Sequence, residues 1–448
     1  MNNLIRKPQI SSEQRNHKYG YYGFTQNPFP FDPSVIPGSD DKRNNGTLFY
    51  EGMREQEMND FKEKLVKSPN RIGILMDYAA YKGRGIGKTA LLNHVKTIIN
   101  SDLGLRISDG QEVLYSIYLS PNSSDGNNRS MSRMAHSLFD AMINERMLFI
   151  AFCRLRAFSG GISDDLLTEI SEDDYESSIA DDKWLTEHGA DLPRINNYLV
   201  EKLYSIGFLE GSPSYRLSFG YKDFLNAISS FHSEMEWSKK GLQLIFNKLV
   251  LLFKEAAFSN CIILLDEVEK IVQYQNFSER RAFCDDLRFY FIDGNTENSA
   301  EGFFKILITI HPNSQELLMP HWMAAGLERF CELGGSGAKE STIFFKPMKD
   351  DINLIKDFVK IYLDNSRSNK SDSVEPFTDD ALLLALRKSD NIAGKFLKML
   401  YFAVENGIAN QWKTIGTDKI EELTRDVIKK TDDGKSGDTP LDRTITEL

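Results

Sequence analysis

The sequence predicts an α/β fold built on a parallel sheet, and three observations predict it. Short apolar runs of strand length recur along the chain, stretches of helical apolar spacing separate them, and one strand passes into a helix through a glycine-rich turn ending in Lys-Thr. Strands that alternate with helices are joined by crossovers, which places them parallel in one sheet with both faces covered.

Composition sets the bounds. The 448 residues are 41% hydrophobic and 27% charged, enough for two or three packed units. A net charge of -11 excludes a chain that coats nucleic acid over its whole surface, so any DNA contact has to be local. The cysteines Cys153, Cys261, Cys284 and Cys331 are far apart with no C-x-x-C pair, which points to neither a zinc site nor a disulfide framework. No apolar run approaches the roughly 20 residues that span a bilayer, and Met1 to Arg15 is polar. The expectation is a cytoplasmic protein with no membrane contact.

Along the chain, residues 1–45 read as an extended arm, polar except for Tyr21-Tyr22-Gly23-Phe24 and Asn27-Pro28-Phe29-Pro30-Phe31, which could dock onto a domain surface. Tyr50 to Leu65 has helical spacing. Arg71 to Met76 reads as a buried strand and Ala90 to Ile99 as a helix, with the glycine turn between them. Val113 to Leu119 is a second strand. A long helical stretch follows to about Phe253, including an insertion over about 147–237 in which Asp164 to Asp191 is acidic, a solvated face or mobile loop by composition. Cys261 to Leu265 and Phe303 to Ile310 complete the predicted strands. After a core of 46–346, residues 347–425 read as a separate helical unit, with Thr378 as an N-cap, and 426–448 as a disordered tail.

Two motifs carry the chemistry. Gly83-Arg84-Gly85-Ile86-Gly87-Lys88-Thr89 supplies glycines that let backbone N–H groups approach phosphates, a lysine for the β and γ oxygens and a hydroxyl for Mg²⁺; the helix from Ala90 aims its positive end at the same place. Lys82 stands where the usual pattern has glycine. The strand Cys261 to Leu265 ends in Asp266-Glu267. Asp266 can hold Mg²⁺ through water and Glu267 can take a proton from an attacking water. ATP and Mg²⁺ are the expected cofactors.

The two motifs resemble the Walker A and Walker B elements of an AAA+ ATPase, in the branch of origin-recognition-type, ExeA-like and transposition-regulator ATPases. Glu51 to Glu57 resembles that branch's box that helps bind adenine. The resemblance implies that Lys305 to Pro312 carries a γ-phosphate sensor, Thr309 or His311; the alternative is a buried threonine satisfied by backbone and a histidine that caps the strand. It implies an arginine finger at Arg329, and a helical lid from Pro376 to Leu397 with Lys395 where the second sensor is commonly Arg. Too little chain follows the lid for a winged-helix DNA reader, so BREX-type or other defence-island ATP-binding proteins and transposition regulators are the nearer matches. The implied function is an ATPase that self-associates and regulates a protein partner in such a machine. A nucleotide-binding switch with little hydrolysis, suggested by Lys82 and Lys395, and an ATP-controlled DNA clamp stay open as alternatives.

Overall fold

The computed structural model describes residues 18–77, 85–121, 131–170, 174–210, 218–234, 239–293, 302–334, 338–367 and 369–432. Five strands form one sheet: β1 Ile72–Asp77, β2 Leu114–Leu119, β3 Asn260–Leu265, β4 Phe304–Ile310 and β5 Thr342–Phe345. Their order is β2-β3-β4-β1-β5, with parallel pairing of β1 to β4, β4 to β3 and β3 to β2. The class is α/β, as predicted. β1 to β4 fall on the four expected apolar runs. β5 was not expected as a strand; at four residues it is too short to show a period.

The chain divides into two compact units. One comprises Asp60–Met76 and Val95–Ile343, the other Met1–Asn59, Asp77–His94 and Phe344–Leu448. In the first, side chains alternate across the sheet. Ile72, Ile74, Ile117, Ile263, Leu265, Ile306 and Ile308 join a core shared with the helices α2 Met131–Asn144, α3 Met147–Phe158, α4 Leu192–Ile206, α5 Tyr221–Glu234 and α6 Lys239–Glu255. On the other face Leu75, Leu114, Ile262, Leu264 and Leu307 are each 0% exposed. Burial on both faces is why these strands are continuous apolar runs rather than alternating ones.

Two polar devices complete this unit. β2 is an edge strand, and its Ser116 N–H and C=O are taken by the Asn100 amide at 2.8 and 2.9 Å, from the far end of α1 Lys88–Ser101. Lys305 on β4 is a buried cation whose ammonium donates to the carbonyls of Leu65, Val66 and Ser68 at 3.0, 2.7 and 3.0 Å, the end of a helical turn. Burial lowers its pKa. The acidic stretch is only partly a solvated face: Asp181 caps the helix Asp182–Glu187, Asp191 caps α4, and Asp182 pairs with Arg156, whose side chain is 0% exposed. Later come α7 Phe277–Arg288 and α8 Pro312–Ala324. All four cysteines are free and buried.

The second unit is built on α9 Ile352–Ser366, α10 Asp379–Lys388, α11 Ala393–Ala409 and α12 Thr417–Asp432. Thr378 caps α10 through the Ala381 N–H at 3.2 Å. α12 runs past residue 425 into the stretch expected as a disordered tail, and 433–448 lie outside the described residues. The arm, from residue 18 onward, is part of this unit's core: Phe24 and Phe29 are 2% and 0% exposed beside Tyr362, Phe377 and Leu400. Tyr19 and Asn27 both donate to Glu405 of α11, at 2.6 and 3.0 Å. Among the described residues no helix is long and apolar enough to cross a membrane.

Phe29→Ala should destabilise the helical unit by about 3–5 kcal/mol. Chemical denaturation checks the loss, and limited proteolysis should find the arm cleaved faster.

Candidate functional site

The phosphate loop is held from three sides within the second unit. Arg54, 5% exposed, donates to the Ile86 carbonyl at 3.0 Å and to the Lys346 carbonyl, stacks over the Phe345 ring at 4.1 Å and pairs with Glu57 at 3.4 Å. Burial pulls its pKa down to about 10, with Glu57 opposing the shift, so the guanidinium remains charged at neutral pH. On the opposite side, the Gly394 N–H at the start of α11 donates to the Gly85 carbonyl at 2.8 Å. A Cβ on Gly394 would sit 3.0 Å from that oxygen, so this approach requires glycine. Gly87 has φ of 110°, a left-handed backbone that side chains resist, and its carbonyl accepts from the Leu91 N–H at 3.0 Å as α1 begins.

Beside the loop lies an open cleft lined by Gly85, Ile86, Gly87 and Ala90 of the loop and helix start, Leu48 and Tyr50 just before the box segment, Met53 within it, and Met348 and Leu397. Its largely apolar lining suits a flat heterocycle. Val35 and Arg43 of the arm also line it. Asp41 clamps Arg43 at 2.6 Å, and the Asn27 carbonyl accepts from it at 2.6 Å.

A five-stranded parallel sheet of order β2-β3-β4-β1-β5, with Gly85 to Gly87 leading into α1 after β1 in the chain, decides the class. This is a P-loop NTPase fold. No protein-family model matches the sequence, and no curated protein matches it. Among solved structures, the chain is similar to the Aeropyrum pernix ORC1 protein in complex with DNA, at 12% identity over 88% of this chain and 76% of that one, with a TM-score of 0.37. It is also similar to Drosophila ORC bound to DNA, at 12% identity, 94% and 68% coverage and a TM-score of 0.32. A third is the Walker-type ATPase paby2304 of Pyrococcus abyssi, at 14% identity, 85% and 74% coverage and a TM-score of 0.33.

In the first unit, the P-loop NTPase sheet presents its carboxylates at the C-terminal end of β3. Asp266 is 1% exposed and accepts from Tyr118 of β2 at 2.9 Å and from Thr309 of β4 at 2.6 Å. Burial, then the neighbouring Asp266, raises the Tyr118 pKa far above its ordinary value, so the phenol stays a donor. Glu267 has φ of 53°, a left-handed conformation uncommon for Glu. Its N–H holds the turn by donating to Thr309 Oγ1 at 2.7 Å and Asp266 Oδ1 at 2.9 Å. The Glu267 carboxylate is half-exposed, accepts from Ser120 at 3.2 Å and pairs with Lys270.

The remaining candidates are placed as follows. Thr309 is 1% exposed, and its hydroxyl donates to the Asp266 carboxylate and accepts from the Glu267 N–H. His311 caps α8, accepting from the Asn313 N–H at 3.4 Å. Arg329 ends a short helical turn, Leu327–Arg329, and is exposed. Lys395 on α11 pairs with Asp390 at 3.1 Å, while its neighbours Ala393, Gly394 and Leu397 line the cleft. Lys88 opens α1 and Thr89 follows it, part-buried; Lys82, Gly83 and Arg84 lie outside the described residues. Sequence reasoning missed the loop tether made by Arg54, the Tyr118 phenol and the arm's share of the cleft, none of which has a spacing signal.

Thr309→Val should cost about 1–3 kcal/mol, because a buried carboxylate and a strained N–H each lose a partner. Thr309→Ser should stay near wild type, and denaturation of the two variants checks both outcomes.

Proposed function

We propose that the protein binds ATP at the Gly83–Ala90 loop and hydrolyses it. The observation that carries this reading is the secured loop itself: Gly85 to Gly87 is gripped by Arg54 and Gly394 next to an apolar cleft. Lys88 would meet the β and γ phosphates, and the N–H groups at the start of α1 would add their dipole. Lys395, one residue from the loop contact at Gly394, is the cation proposed to sense the bound phosphates.

Among the described residues no cluster of three or more His, Cys, Asp or Glu could cage a metal. Mg²⁺ keeps its waters and binds through one or two protein oxygens plus phosphates. Thr89 and Asp266 are the proposed ligands, Asp266 through water, and the ion would supply neutralisation of the charge building on the transferred phosphoryl group. Glu267 is the proposed base. Its carboxylate, engaged by Ser120 and Lys270, has to be freed from them to accept the proton of an attacking water. Thr309 is proposed to position the Asp266–Glu267 turn, with His311 the remaining candidate for a γ-phosphate contact.

Regulation of a partner through nucleotide-controlled self-association is the wider role proposed, with Arg329 presented to a neighbouring copy. Its support is the exposed position of Arg329 and the sequence resemblance, which also motivates a setting such as phage defence or transposition, with local DNA contact.

Lys88→Ala should weaken ATP binding at least tenfold by equilibrium titration. Glu267→Gln should keep ATP binding while lowering steady-state phosphate release on the order of a hundredfold. Equal release by Glu267→Gln and wild type would remove Glu267 as the base. Chelation of Mg²⁺ should abolish release in the wild type. By light scattering, ATP should enlarge the Glu267→Gln assembly, and Arg329→Ala in that background should reverse the effect.

A further inference from the structure

β1 ends on a carboxylate. Asp77 has a side chain 2% exposed, and both of its oxygens accept from the Lys88 ammonium, at 2.7 and 2.8 Å. Lys88 is itself only 13% exposed, so the pair is largely out of water. Asp77 closes a strand whose preceding residues, Ile72 to Met76, are buried and uncharged. Nothing in the local apolar pattern calls for an acid there, and a buried acid persists only with a partner. Its partner is the lysine assigned to the nucleotide's phosphates.

Resting on the nucleotide reading above, we infer that Asp77 is a built-in competitor for the phosphate lysine. One ammonium has three donors, and two of the directions it can use are filled by the Asp77 oxygens. Phosphate oxygens and this carboxylate compete for the same charge, so nucleotide entry is an exchange of one anion for another. Once Lys88 has turned to phosphate, Asp77 is a buried carboxylate without its cation and close to further negative charge, which disfavours the bound state. Asp77 therefore lowers affinity for every ligand carrying β or γ phosphates and hastens its release by recapturing Lys88. A ligand without phosphates is indifferent to it.

Asp77→Asn preserves shape and removes the charge. It should tighten ATP and ADP about tenfold, equivalent to about 1.4 kcal/mol, mostly through slower release in stopped-flow displacement. Adenosine affinity should not change. Asp77→Ser, which opens the same position to water, should reproduce the gain, and thermal melting of each variant confirms that it is folded. In a Lys88→Met background the gain should vanish, since the competition is for that ammonium. Unchanged or weaker nucleotide binding by folded Asp77→Asn and Asp77→Ser would overturn the inference and make Asp77 a positioning residue for Lys88. A gain that persists in Lys88→Met would also overturn it, leaving only general charge repulsion. If wild type and both Asp77 variants, all folded, bind none of the three ligands, the nucleotide reading itself falls.

Discussion

The Asp266 carboxylate is the constraint on which the C-terminal end of the sheet depends. At 1% exposure it needs hydrogen-bond donors, and it receives them from both neighbouring strands, Tyr118 of β2 and Thr309 of β4. That is possible only in the observed register, where Tyr118 lies opposite Leu264 and Ile308 opposite Leu265, so that all three groups project from one face. A slip of one residue would send the donors to the other face and leave the carboxylate bare. The same threonine secures the Glu267 N–H and so maintains a left-handed backbone that would otherwise cost about 1–3 kcal/mol. One buried acid thus ties strand register to the direction of the next carboxylate.

The helical unit solves a different problem, holding a glycine turn that has little packing of its own. Arg54 and Gly394 do this from opposite sides, one with a buried charge on the Ile86 carbonyl, the other with a backbone N–H on the Gly85 carbonyl. Because Gly394 begins α11, the loop and this helix position each other. The arm adds Phe24 and Phe29 to the core and Arg43 to the rim of the cleft, so the order of the helices and the shape of the cleft share one set of contacts.

The ion pairs of the phosphate lysine and of Glu267 have a common character. Lys88 is engaged by Asp77, and Glu267 by Lys270 and Ser120. Both side chains are engaged by protein partners in this structure.

The sequence by itself determined the α/β class, four of the five strands, the Thr378 cap, and the Lys-Thr and Asp-Glu motifs, because these depend on local period and short-range chemistry. It left β5 unseen because four residues show no period, and it did not show that the exposed Asp181 and Asp191 cap helices or that Asp182 pairs with Arg156. Only tertiary structure decided that Thr309 serves the Asp266 turn, that Arg54 grips the loop, that the arm belongs to a core, and that Asp77 holds Lys88. Each of these joins residues separated in sequence by more than one helical turn. Spacing encodes which face a residue shares with its near neighbours; it does not encode which distant partner satisfies a buried charge.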